Sequence, residues 1–228
     1  MIMRFFIASA LLACAALPAS AQKTVKIGFL STFSGNAAVV GSDMRDAFEL
    51  ALDHLDRKMS GLNVEMIYED DTLKPDVGKQ KTDKLVESDK VNFLTGYAWS
   101  NVLLASLKSA TDSQTFLISA NAGPSQIAGE LCSPWFFSTS WQGDQVPQAI
   151  GEYMNQKGVK SAYLIAPNYA AGKDVIAGVK ANFKGQILGE DYTAGRISSI
   201  SQPNCRRRAR PSLTPSSRSI RARPACSS

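Results

Sequence analysis

The sequence predicts an α/β fold of two lobes, each built on a parallel sheet, with the second lobe incomplete. Three observations carry this. Short runs rich in β-branched and aromatic residues alternate with segments of helical periodicity, joined by short links. Loops of Ser, Gly, Ala and Asn follow several of the predicted strands. Near residue 137 the rhythm breaks and then restarts, but only two more strands follow.

Residues 24–30 (TVKIGFL) are rich in strand formers and lead into a small-residue loop, 31–41. A helix is expected over about 42–59. Met44, Ala47, Phe48, Ala51, Leu52 and Leu55 mark one face, Ser42 or Asp43 can cap its start, and Gly61 can end it. A strand over 64–68 runs into Glu69-Asp70-Asp71. Pro75 suits the first turn of a helix reaching about residue 88. Strand 91–95, loop 96–101, helix 102–111, strand 115–119 and a second small-residue loop, 120–125, continue the series.

Residues 131–140, with Pro134, Trp135, Phe136 and Phe137, read as an extended aromatic stretch. Helix 144–157, strand 161–166, helix 171–183 and strand 186–190 follow. Segment 137–142 reads as a crossover, dividing a first lobe, 22–140, from the start of a second, 141–192.

The two ends read differently. Arg4, an apolar run over 5–17, Pro18 and Ala19-Ser20-Ala21 have the order of a signal peptide cut before Gln22. The apolar run falls short of the ~20 residues that span a bilayer as a helix. Residues 193–228 hold no Asp or Glu but eight Arg, among Ser and Pro, and are expected to be a disordered basic tail. A shifted reading frame is the sharper expectation. Suitable GC-rich codons for residues 198–228, read from the third base, spell an amphipathic helix, a Lys-Pro-Asp turn and an apolar strand ending in Gly. Those are the elements an α/β lobe needs next. A chain that stops short of a full second lobe is expected to fold or bind poorly.

Charge excludes one class of function. The formal net charge of +5 arises in these ends. Residues 22–194 carry sixteen Lys and Arg against twenty Asp and Glu, so the body of the chain is acidic and no nucleic-acid partner is expected.

Catalytic motifs are poor. Ala171-Gly172-Lys173 imitates the end of a phosphate loop, but Pro167 stands where its first Gly belongs and Asp174 where Ser or Thr belongs. A lone His54 leaves no imidazole-based acid–base pair or metal set, and within 22–192 the lone Cys132 has no evident base or disulfide partner. Glu69-Asp70-Asp71 can hold a cation or simply cap a βα junction. No catalytic residue, metal or cofactor is expected.

The three strand-end loops, 31–41, 97–101 and 120–125, point to small-molecule binding. In open α/β sheets ligands bind beyond the carboxyl ends of strands, where helix N-termini and backbone N–H groups suit a carboxylate. Tyr97, Trp99 and Trp141 can wall such a site, or the aromatics can be core residues beside tight turns.

The segments VKIGFLSTFSG (25–35), Gly41, YEDD (68–71), Pro75, TGYAWS (95–100), LISANAGP (117–124) and APNYAAGKD (166–174) occur in this order. Together they resemble the periplasmic leucine/isoleucine/valine-binding protein family, the substrate-binding proteins of ABC transporters with the type I periplasmic binding fold. The resemblance covers about residues 24–192. It implies two Rossmann-like lobes closing by a hinge on a branched-chain amino acid or a related small carboxylate or amide. It also implies a periplasmic location and an inner-membrane ABC permease as partner. Ser100 takes the place of a family serine that binds the ligand carboxylate. Asn121, Ala122 and Gly123 fall on the loop that binds carboxylate and amine, and Tyr169 on a tyrosine that closes over the ligand. Gly123 stands where amino-acid binders often carry a Thr. Trp99 stands at a disulfide cysteine of some members, and the acidic partner of an α-amine lies beyond the matched segments. A ligand-sensing domain of a regulatory receptor shares the fold and is the alternative.

Overall fold

The computed structural model describes residues 24–193 of the 228-residue chain. The signal-peptide expectation, 1–21, and nearly all of the tail expectation, 193–228, lie outside the described residues.

Strand β1 (Thr24–Ser31) is the middle of a six-stranded sheet. After it a short 3₁₀ turn (Gly35–Ala37) runs straight into helix α1 (Ala38–His54). The helix therefore begins before Ser42 and ends before Met59, contrary to the sequence expectation. Asp56 and Arg57 take left-handed conformations (φ 50° and 53°) that no helix can continue. The chain then forms a hairpin, β2 (Lys58–Met59) against β3 (Leu62–Asp70). Ser60 and Gly61, with φ 51° and 81°, make its two-residue turn, so Gly61 closes a hairpin rather than a helix.

Helix α2 (Pro75–Asp83) has its proline in the first turn and passes into one π turn over Lys84–Ser88. Strand β4 (Phe93–Gly96), helix α3 (Ser100–Asp112), strand β5 (Phe116–Ser119) and strand β6 (Phe136–Ser138) complete the sheet. Its order is β2-β3-β1-β4-β5-β6, parallel except for β2. Ile27 lies beside Met66 of β3 and Phe93 of β4, and Leu94 beside Leu117 of β5.

Alternation along the strands sends successive side chains to opposite faces. Leu30, Leu94 and Leu117 join Leu85, Val102, Leu103 and Leu107 in a core against α2 and α3. On the other face Phe29, 1% exposed, meets Phe48 of α1, Phe33 and Tyr68 at ring distances of 5.5–6.2 Å. Burying a side chain such as Phe29 stabilises by about 1.5–3 kcal/mol.

A second sheet pairs β7 (Ser161–Pro167) with β8 (Gln186–Thr193) in parallel. Helix α4 (Gln145–Gln156) leads into it and α5 (Ala170–Asn182) connects its strands. Ile176, Val179 and Phe183 are buried there, while Tyr163, Ile165 and Leu188 remain exposed. Two α/β units with parallel sheets thus make up the fold, the second with two strands. Among the described residues no helix is long and apolar enough to cross a membrane.

Candidate functional site

Strand order locates the site. From β1 the chain goes through α1 to β3 on one side, and from β4 it goes through α3 to β5 on the other. The loops after β1 and β4 therefore diverge, which opens a crevice at the carboxyl ends of these adjacent strands.

Side chains tie the loops around that crevice to one another. The indole Nε1 of Trp99 donates to Thr32 Oγ1 at 3.0 Å, linking the loop after β4 to the end of β1. Thr32 Oγ1 donates onward to Asp71 Oδ1 at 2.5 Å, and Leu73 N–H donates to the same oxygen at 2.7 Å. Asp71 is fully buried and its Oδ2 has no partner among the described residues. Burial lifts the Asp71 carboxyl above its ordinary range; the nearby Asp70 charge adds to this, while Thr32 and Leu73 oppose it.

The neighbouring acids have separate tasks. Glu69 pairs with Lys81 and Lys84, and Asp70 Oδ1 accepts the N–H groups of Phe33 and Thr72. No group of three His, Cys, Asp or Glu among the described residues is placed to hold a metal ion. The Glu69-Asp70-Asp71 run braces the βα junction through these bonds and ion pairs. Cys132 is exposed and unpaired among the described residues.

The loop after β5 is tied to the loop after β4. Ala120 N–H donates to Gly96 O, Ala122 N–H to Tyr97 O, and the Asn121 side-chain amide to Ala98 O at 2.8 Å. Ser119 Oγ closes the loop on Ala122 O at 2.5 Å. The backbone N–H groups of Asn121 and Gly123 make no hydrogen bond with another described residue. Beside them begins α3, whose first residue is Ser100. Its N-cap, Trp99, supplies no side-chain cap. The first N–H groups of α3 therefore lack a cap, and the positive end of the helix dipole points out of the sheet. Ser100 is 5% exposed and its hydroxyl makes no hydrogen bond with another described residue. A small carboxylate is the natural complement of such a group of donors.

Ser100, Asn121, Ala122 and Gly123 are thus brought together, and Trp99 flanks them, half-buried. Tyr97 is a correction. Gly96 and Tyr97 are both left-handed (φ 98° and 50°), which turns the Tyr97 ring inward, away from the crevice. It is fully buried in the core against α2 and α3, where its hydroxyl bonds Thr82 Oγ1 at 2.8 Å. It cannot wall a ligand. Trp141 is 59% exposed, and its backbone carbonyl lies against Gly123. A Cβ at residue 123 would sit 2.1 Å from that oxygen, so this backbone has no room there for a threonine.

Tyr169 is the N-cap of α5, half-buried, and burial raises its phenol pKa. Five residues on, Asp174 of the same helix accepts Ser125 N–H (3.0 Å) and Ser125 Oγ–H (2.7 Å). This sets the start of α5 beside the loop after β5.

Sequence reasoning missed Thr32, Asp71 as a buried group, Asp174, and Gly143, whose N–H donates to Gly123 O. Of these only Asp71 carried a signal, as an acid at a strand end. Thr32, Gly143 and Asp174 act through partners distant in sequence, which no local pattern reveals.

Two α/β units joined by a crossover, with tied loops at the carboxyl ends of β1, β4 and β5, define the type I periplasmic binding fold. The chain belongs to the periplasmic binding protein family, whose model matches residues 24–203. It is similar to the Leu/Ile/Val-binding protein homolog 6 of Brucella abortus (strain 2308), 27% identical over 180 residues, which cover 78% of this chain and 46% of that protein. Among solved structures it resembles an ABC transporter solute binding protein from R. palustris in complex with benzoate. That match has 28% identity and a TM-score of 0.76, covering 81% of this chain and 52% of the other. It also resembles the solute binding protein from Rhodopseudomonas palustris BisB5 in complex with 3,4-dihydroxybenzoic acid, at 29% identity and a TM-score of 0.69, covering 74% and 47%. The chain spans about half the length of these relatives.

Proposed function

We propose that the chain is the substrate-binding component of an ABC importer. On this reading it acts in the periplasm, binds a small carboxylate and hands it to an inner-membrane permease without chemical change. One observation carries the reading. The uncapped start of α3, with buried Ser100, lies beside the two unpaired N–H groups of the loop after β5, at the strand switch point.

The carboxylate class includes branched-chain amino acids and aromatic acids, and one observation favours the aromatic one. Trp99 has its indole N–H committed to Thr32, so it presents a ligand with apolar ring rather than a donor. The relatives solved with benzoate and 3,4-dihydroxybenzoic acid agree with this preference.

The test is a set of amide spectra of the 228-residue chain, titrated with benzoate, 4-hydroxybenzoate, L-leucine and L-valine. A weak, saturable response of the Ser100, Asn121 and Gly123 amides is expected, strongest for the benzoates. S100A should weaken it about tenfold, the worth of one hydrogen bond to a charged group. No saturable response to any of the four, or an unchanged response in S100A, overturns the reading.

A further inference from the structure

The loop after β5 is held at two ends by different parts of the chain. Up to Ala122 its bonds run to Gly96, Tyr97 and Ala98, within the larger sheet and its loops. From Gly123 onward they run elsewhere. Gly123 O accepts Gly143 N–H at 2.6 Å, from the crossover, and Ser125 gives both its donors to Asp174 of α5. Asp174 is 4% exposed and uses one carboxylate oxygen for each donor. The packing leaves no slack, since a Cβ on Gly143 would fall 2.8 Å from Asp174 Oδ2.

We infer that Asp174 is a positioning residue of the ligand site. By gripping Ser125 it sets the loop that presents the Asn121 and Gly123 N–H groups. By its place on α5 it fixes where Tyr169 stands relative to that loop. Tyr169 and Asp174 are five residues apart, about 7.5 Å along the helix axis, so one grip orients groups on both sides of the site. Asp174 touches no ligand in this scheme. The inference rests on the carboxylate-binding reading for its effect on affinity, but the grip itself can be tested without a ligand.

The experiment compares the full chain with D174A, D174N and S125A by amide hydrogen exchange and by the same benzoate titration. D174A removes both acceptors. D174N can keep both contacts, because its amide oxygen accepts Ser125 N–H and its amide NH2 donates to the serine hydroxyl. S125A removes only the hydroxyl contact. In D174A the Ser125 amide is expected to exchange at least about tenfold faster, the worth of a hydrogen bond to a charged group. Protection of the β1, β4 and β5 amides should be unchanged, and benzoate affinity should fall by a similar factor. D174N should restore most of both, and S125A should lie between. If D174A does not fold, S125A and D174N decide by the same two readouts.

Unchanged Ser125 exchange in D174A overturns the inference, as does unchanged residue-125 exchange together with unchanged benzoate affinity in S125A where that variant decides. So does unchanged benzoate affinity in a variant whose Ser125 amide has lost protection. If the wild-type chain binds no carboxylate, the functional reading fails, while Ser125 exchange still decides whether Asp174 sets the loop.

Discussion

The indole N–H of Trp99 ends on the hydroxyl of Thr32, 3.0 Å away, and so bridges the loops that diverge at the switch point of the larger sheet. The same hydroxyl donates to buried Asp71. One threonine thus satisfies an indole, a carboxylate and the spacing of two loops.

Replacing that threonine by valine keeps the shape and removes the hydroxyl. T32V leaves the Trp99 donor unsatisfied and Asp71 Oδ1 with Leu73 alone. A loss of about 1–3 kcal/mol is expected, the penalty for leaving a buried polar group unpaired. Urea denaturation followed by tryptophan emission measures it. A loss within experimental error would show that the bridge is dispensable.

Asp71 should leave a mark on the pH dependence of stability. Its carboxyl pKa is raised in the fold above the ordinary 3.8. Between these two values the folded chain binds more protons than the unfolded one, so this group lowers stability as pH rises through the window. Glu69 and Asp70 act oppositely. Although burial works against it, lysine pairing for Glu69 and backbone donors for Asp70 hold both low, so their contribution is lost as pH falls. D71N cancels only the first effect. Its stability relative to wild type should therefore rise from about pH 4 towards neutrality and then level off, as read from denaturation midpoints across that range. A flat difference contradicts this.

Tyr97 should behave as a core residue. Y97F removes the hydroxyl that meets Thr82, at about 0.5–1.5 kcal/mol, because Thr82 keeps its bond to Gly78 O. Y97A should lose about 3–5 kcal/mol through the cavity it leaves. Neither Y97F nor wild type should differ in its carboxylate titration. A selective loss of ligand response in Y97F would return the residue to the site.

Gly123 has no room for a methyl group. G123A places a carbon against the Trp141 carbonyl and should force the crossover away, at about 1–3 kcal/mol. Exchange of the Gly143 amide, which donates to Gly123 O, should speed up in parallel. A neutral G123A would mean that the crossover yields freely.

The strands were legible because β1, β4, β5 and β7 are apolar runs bounded by turn residues. Boundaries were not. The start of α1 is preceded by a 3₁₀ turn that has no capping signal, and its end is set by left-handed Asp56 and Arg57. Strand β2 is two residues long and exists only by pairing with β3. Of the site, Ser100 and the 121–123 loop were legible from their place after strands and from family likeness. The inward turn of Tyr97 depends on two consecutive left-handed residues, and the grip of Asp174 on a partner 49 residues away. Neither is written in a local pattern.

The bonds joining Thr32, Trp99, Ala98, Asn121 and Ala122 have a kinetic consequence under the proposed function. The loops need no ordering when a solute arrives, so encounter is limited by diffusion and orientation rather than by loop folding. Competing carboxylates should then be captured at similar rates, and the chain would tell them apart by how long each one stays.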